Sequence, residues 1–197
     1  MPDITIAPGA ARDVDAVARL HAQLLADSFL ATLGERFLRV LYRRIARDRA
    51  STLLVARRGP DVIGFIAGTE NTKQLYRDFI RRDAVRAVAA AGPGLVRNPR
   101  ATLETLRYDA VAGSSSDLPA AELLALAVRP SAQGRGVGAR LVAALQDDFG
   151  ARRVSRARVT VAADNTAALA VYVRCGYVRA ARIEVHRGRA SEVLVWG

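Results

Sequence analysis

Residues 124–141 read LALAVRPSAQGRGVGARL: an apolar run, a connector holding Gly134, Gly136 and Gly138, then an apolar-periodic segment. Glycine enters left-handed backbone without steric penalty, and a cluster of it ahead of a helix leaves successive N–H groups free to converge on one concave surface. The positive end of the helix dipole reinforces them, so the stretch predicts a strand, an anion-binding turn and a helix. Gln133 and Arg135 add polar donors and a permanent positive charge suited to a diphosphate.

Other phosphate-binding patterns fit less well. A P-loop needs G-x-x-x-x-G-K-[ST], and no glycine pair at that spacing is followed by Lys and Ser or Thr. Gly134, Gly136 and Ala139 do satisfy the dinucleotide pattern G-x-G-x-x-[GA]. Its context fails, because RPSAQ separates the apolar run from the first glycine and ARRVSRARVTV lacks the acidic residue expected some way downstream. A glycine-rich loop with no ligand stays open.

Periodicity places this stretch within a longer order of elements. DITIA alternates as an opening strand, and RDVDAVARLHAQLL sets Val14, Val17, Ala18, His21, Leu24 and Leu25 at helical spacing behind Asp13, a candidate cap. LGERFLRVLYRRIARD carries Leu33, Phe37, Leu38, Leu41 and Ile45 on one side of a second helix. TLLVARRGPDVIGFIAG reads as a hairpin turning at Gly59, Pro60 and Asp61. Residues 71–107 predict two or three short arginine-rich helices interrupted at GPG and NPR, and AGSSSDLP predicts a loop, so 71–117 is an insertion. AELLALAV is then a strand, and Val137, Leu141, Val142, Leu145 and Phe149 line a helix. RARVTVA is a strand, NTAALAVYVRC a helix stopped by Gly176, and the remainder a hairpin turning near Gly188. The order predicts one α/β domain over 1–197, a mixed (α+β) sheet of about seven strands flanked by helices, with a parallel crossover in its second half.

Composition narrows the functional classes. Thirty basic residues against 19 acidic ones, net charge +11, are spread along the chain and create a diffuse positive field. Such a field attracts nucleic acid, anionic surfaces or phosphorylated small molecules, although solvated arginines need no partner. Cys175 is the only cysteine, and with only His21 and His186 beside it an internal disulfide and a Cys/His zinc site are both excluded. The expectation is a cytoplasmic protein without a metal, without an export signal and without a membrane span.

Two motifs together carry a resemblance. Gln133, Gly136 and Gly138 meet the form [QR]-x-x-G-x-[GA]. Downstream, Asn165 opens a helix that carries Tyr172 and ends at Gly176 followed by Tyr177. In that order they resemble the acyl-CoA-binding core of the GNAT acetyltransferase superfamily, over residues 122–178. The resemblance implies a GNAT-like acyl-CoA N-acyltransferase fold, with acetyl-CoA as co-substrate, a bulge that splays the strand before the loop from its parallel neighbour, and the pantetheine arm in the gap so opened. By that analogy Leu126, Ala127 and Val128 line the gap, Leu126 and Val128 offering main-chain hydrogen bonds. Gln133, Gly134, Arg135, Gly136, Val137, Gly138 and Ala139 hold the pyrophosphate, and Asn165 binds cofactor or substrate, or caps its helix.

The implied activity is direct transfer of an acetyl group to a primary amine of a small molecule or a protein. Tyr172 matches the family position near the sulfur and is the expected general acid. Glu122, on the same side as Leu124 and Leu126 by strict alternation, is the candidate base; a strand-end salt bridge is its other reading. His21 falls on an apolar face and reads as a packing residue, and His186 has no evident partner. Cys175 lacks a His pair, and GSSSD fails the G-x-S-x-G elbow. The arginines suggest an acceptor carrying phosphate or carboxylate. Two other classes stay open: a non-catalytic acyl-CoA-binding regulator, and a nucleic-acid-binding protein, which scarce stacking aromatics disfavour. Monomer and homodimer are equally compatible with the sequence.

Overall fold

The computed structural model of the chain describes residues 3–97, 118–184 and 190–197. Seven strands, β1 (Ile4–Pro8), β2 (Ser51–Arg58), β3 (Asp61–Thr69), β4 (Glu122–Val128), β5 (Ala157–Ala162), β6 (Val178–Glu184) and β7 (Ala190–Trp196), form one sheet in the order β1-β2-β3-β4-β5-β7-β6. Every neighbouring pair is antiparallel except β4 and β5. That parallel pair is joined by a helical crossover, as parallel pairing requires.

The helices cover both faces. On one side lie α1 (Val14–Leu24), the single turn α2 (Phe29–Thr32), α3 (Glu35–Ile45) and α4 (Thr72–Arg97); on the other lie α5 (Val137–Ala151) and α6 (Thr166–Arg174). The apolar faces expected from periodicity are buried. Val14, Val17, Ala18 and His21 of α1 and Phe37, Leu38, Leu41 and Ile45 of α3 enter one core, which Tyr42 joins. Val137, Leu141, Val142, Leu145 and Phe149 of α5 enter the other. Gly68 on β3 lets α5 approach: a Cβ there would stand 2.9 Å from Leu145 and Phe149 carbons.

Two expectations are overturned. Instead of short helices broken at GPG, α4 runs continuously through Gly92, Pro93 and Gly94. Leu75, Phe79, Ala87 and Ala91 are buried, Phe79 meets Phe37 edge-on with centroids 5.7 Å apart, and Arg44 pairs with the Asp83 carboxylate at 2.5 Å. These contacts anchor α4 as far as Ala91, and the helix continues past them through the Gly-Pro-Gly stretch. The expected break at NPR, most of the loop at 112–119, His186 and the turn at Gly188 lie outside the described residues. The second correction concerns Asp13, which does not cap α1 with its side chain: it accepts from the Ala10 amide at 2.9 Å and pairs with Arg57.

Candidate active site

The site begins where β4 and β5 part. Their parallel pairing is limited to Glu122 with Arg158 and Leu123 with Val159, whereas β4 stays paired with β3 as far as Val128. The register with β3 slips between Ala67 and Gly68, leaving Leu124 as the extra residue of a bulge. The bulge reverses the alternation. Leu124, Ala125 and Ala127 pack on the α1/α3 side, and Leu123, Leu126 and Val128 on the α5 side. Glu122 therefore shares its face with Leu124 but not with Leu126, which corrects the strict-alternation expectation.

Main-chain direction follows from one hydrogen bond. Arg129 donates to Ile63 O at 2.8 Å, so by the two-residue repeat Ala127 also turns its N–H and C=O toward β3. Leu126 and Val128 turn theirs toward the gap, and the Val128 carbonyl accepts from Gln133 Nε2 at 2.8 Å. Of the three strand residues expected at the cleft, Leu126 and Val128 present their main chain there and Ala127 does not.

Beyond β4 a short 3-10 turn, Pro130–Ala132, leads into the glycines. Gly134 and Gly136 have φ of +72° and +74°, and a Cβ on either would meet nothing within 4 Å. Backbone conformation, not crowding, demands glycine at these two positions, and the space beside them is open. Gly136 caps α5, whose first turn carries no acidic residue. The first bond of α5 runs from Arg140 N to Gly136 O at 3.0 Å, so the amides of Val137, Gly138 and Ala139 precede the helical ladder. Gly138 differs from the other two: a Cβ there would stand in ordinary contact with Val171 of α6 at 3.9 Å. Gln133 and Arg135 are exposed beside the turn. This loop and the gap fit a diphosphate joined to an extended arm, as in coenzyme A.

The second motif has a physical explanation. Gly176 N donates to Val173 O at 3.1 Å and Tyr177 N to Tyr172 O at 3.0 Å, with Gly176 at φ +83°. This is a Schellman cap. Its accompanying contact joins the residue after the glycine to the residue three from the helix end, here Tyr177 on Tyr172 with centroids 5.7 Å apart. Tyr172 is 5% exposed and its hydroxyl is held well above the ordinary phenol range, first by burial and then by Cys175. At the other end of α6, Asn165 Oδ1 accepts from Ala168 N at 3.1 Å, so the capping role is the one its side-chain oxygen performs.

Glu122 is not a surface charge. It is 9% exposed and Arg158 is 7% exposed. Its Oε2 accepts from Thr72 Oγ1 at 2.8 Å and from Arg158 Nε and Nη2 at 3.2 and 3.0 Å. Neither partner was singled out from the sequence: Arg158 stands in RARVTVA as if on a solvated face, and Thr72 is remote in the chain. His21 packs on Phe65 in the α1/α3 core, with Nδ1 on the Tyr42 hydroxyl at 2.7 Å and Nε2 on Ser28 Oγ at 3.0 Å. Burial lowers its pKa to about 4, so it is a neutral, satisfied core residue. Cys175 is half-buried, with its thiol pushed up by burial.

Comparisons with known proteins agree with this geometry. No curated protein matches the chain. Solved structures similar to it include the ribosomal-protein-S18-alanine N-acetyltransferase from Escherichia coli, at 16% identity and TM-score 0.61, covering 98% of this chain and 93% of that one. Ard1 from Thermoplasma volcanium is 17% identical with TM-score 0.62, covering 98% and 95%. The protein yncA from Salmonella typhimurium, solved with its cofactor acetyl-CoA, is 15% identical with TM-score 0.62, covering 98% and 92%. At these identities the likeness shows the fold. The model of the acetyltransferase (GNAT) family matches residues 20–177, most of the chain, and with the parted strands and the left-handed glycine turn it gives the assignment: this chain belongs to the GNAT acetyltransferase family.

Proposed function

We infer that the protein transfers an acetyl group from acetyl-CoA directly to a primary amine. The observation that carries this reading is the gap that opens after the Leu123–Val159 pair and leads to a turn of left-handed glycines at the head of α5. Gln133 to Ala139 hold the pyrophosphate, with the amides of Val137, Gly138 and Ala139 as donors. Leu126 and Val128 meet the pantetheine arm and thioester through their main chain.

Acetyl-CoA supplies the activated acyl group, and the chain supplies position and proton control. The amine nitrogen forms the new bond to the acyl carbon as the carbon–sulfur bond breaks. The Leu126 N–H is the donor for the carbonyl oxygen. Glu122 takes the proton of the amine through water, and Tyr172 gives a proton to the departing sulfur. Burial keeps Tyr172 a neutral phenol at working pH, so its proton is available when charge develops on sulfur.

The acceptor is an amine that also bears phosphate or carboxylate, a reading motivated by the +11 net charge. Relatives of this fold include a ribosomal-protein alanine acetyltransferase and a spermidine acetyltransferase, so the fold itself selects no acceptor. Incubating the protein with acetyl-CoA and a panel of anionic amines, polyamines and lysine peptides, with release of free thiol as the readout, tests both statements. Turnover concentrated among anionic amines is expected. Tight acetyl-CoA binding without thiol release across the panel would leave a binding protein, and preference for polyamines would remove the charge argument.

A further inference from the structure

The contacts of Glu122 are lopsided. An arginine paired with a carboxylate ordinarily spreads two N–H groups over both oxygens, which gives the strongest geometry. Here Arg158 Nε and Nη2 both converge on Oε2, and Thr72 Oγ1 adds a third donor to that same atom. Among the described residues no hydrogen-bond donor meets Oε1. A pair that served only to hold two strands together would gain by using both oxygens.

The location matters as much as the pattern. Glu122 and Arg158 face each other across β4 and β5 in the last stretch of pairing before the strands part. Thr72 is the first residue of α4, and it is buried. Three elements far apart in sequence thus fix one carboxylate at the vertex of the cleft.

We propose that Arg158 and Thr72 are positioning residues, which hold Glu122 by Oε2 and present Oε1 to the proton leaving the acceptor amine. The inference rests on the reading of Glu122 as base given above. It assigns the insertion a task as well, since α4 reaches the vertex through the Thr72 hydroxyl.

Steady-state kinetics of Thr72→Val, Thr72→Ser, Arg158→Lys and Glu122→Gln, with the pair Thr72→Val/Glu122→Gln, test it. Thr72→Val removes one donor at nearly constant volume and is expected to lower kcat by roughly ten- to a hundredfold, the loss of a hydrogen bond to a charged group, with KM for acetyl-CoA unchanged. Thr72→Ser restores kcat, Arg158→Lys lowers it, and in the Glu122→Gln background Thr72→Val has no further effect. A valine variant that melts earlier but keeps its kcat overturns the proposal, as does an equal loss in both backgrounds. If Glu122→Gln itself leaves kcat intact, the base reading has failed; if it does not and the other variants are silent, only the positioning role has.

Discussion

The junction between β4 and β5 can be compared at its two ends. At the closed end Arg158 N donates to Ala121 O at 2.9 Å, the side chains of Glu122 and Arg158 pair, and Thr72 seals the contact from α4. A few residues along, the same strand still pairs with β3 but turns the main chain of Leu126 and Val128 toward the gap, where its pairing with β5 has ended. The cause is one extra residue. The bulge at Leu124 turns β4 away from its parallel neighbour, and the glycine turn then brings the amides of α5 to the mouth of the gap. One end is held by internal partners through the main chain and Glu122 Oε2; the other turns the main chain of Leu126 and Val128 to the gap, where the proposed ligand lies.

The largest effect should come from breaking the closed end. Arg158→Leu strands a buried carboxylate and is expected to lower the unfolding free energy by about 3–5 kcal/mol in a urea titration. A loss below about 1 kcal/mol would mean that the pair is solvated and the two ends are alike.

A pH experiment separates stability from chemistry. His21 lies in the α1/α3 core, and its pKa in the folded protein, about 4, is below the unfolded value of 6.5. The unfolded chain therefore takes up the proton first. Stability from this group is complete above pH 6.5 and drains as pH falls through about 4, by about 1.4 kcal/mol per pH unit and roughly 3 kcal/mol in all. Replacing His21 with leucine should flatten the slope of unfolding free energy over that window; an unaltered slope would show that another group is responsible.

For the proposed general acid, Tyr172→Phe is expected to reduce kcat about 10²-fold while leaving acetyl-CoA affinity in place. The tilted contact between the Tyr172 and Tyr177 rings does not need that hydroxyl, so a fall in thermal stability instead of turnover would assign Tyr172 to the helix cap alone. The smallest effect belongs to Gly136→Ala. Its φ of +74° strains an alanine by about 1–2 kcal/mol, which should appear as weaker acetyl-CoA binding as the turn relaxes. Gly138→Ala, at a position with room for a Cβ, is the matched control.

What was legible in the sequence follows the same division. Gly134, Gly136 and Gly176 could be read because left-handed backbone leaves little choice of residue, and the faces of α1, α3 and α5 because a helix buried on one side repeats its apolar residues. A bulge in β4 was implied by the resemblance, but its place at Leu124 had no signature in the residues, since one extra apolar residue in an apolar run leaves the pattern of composition unchanged. Arg158 was hidden for a related reason: alternation marks which residues share a face, but burial of the charge depends on Glu122 and Thr72, brought in from distant segments. Pro93 misled, because local propensity weighs the break itself and not the long helix anchored ahead of it by Leu75, Phe79, Ala87 and Ala91.

Amide hydrogen exchange with and without acetyl-CoA tests the difference between the two ends most directly. The account predicts that the amides of Leu126, Val128, Val137, Gly138 and Ala139 slow markedly when the ligand is added, while those of Leu123 and Arg158, already paired, do not change. Uniform protection along β4 and β5, or none at the glycine turn, would contradict it.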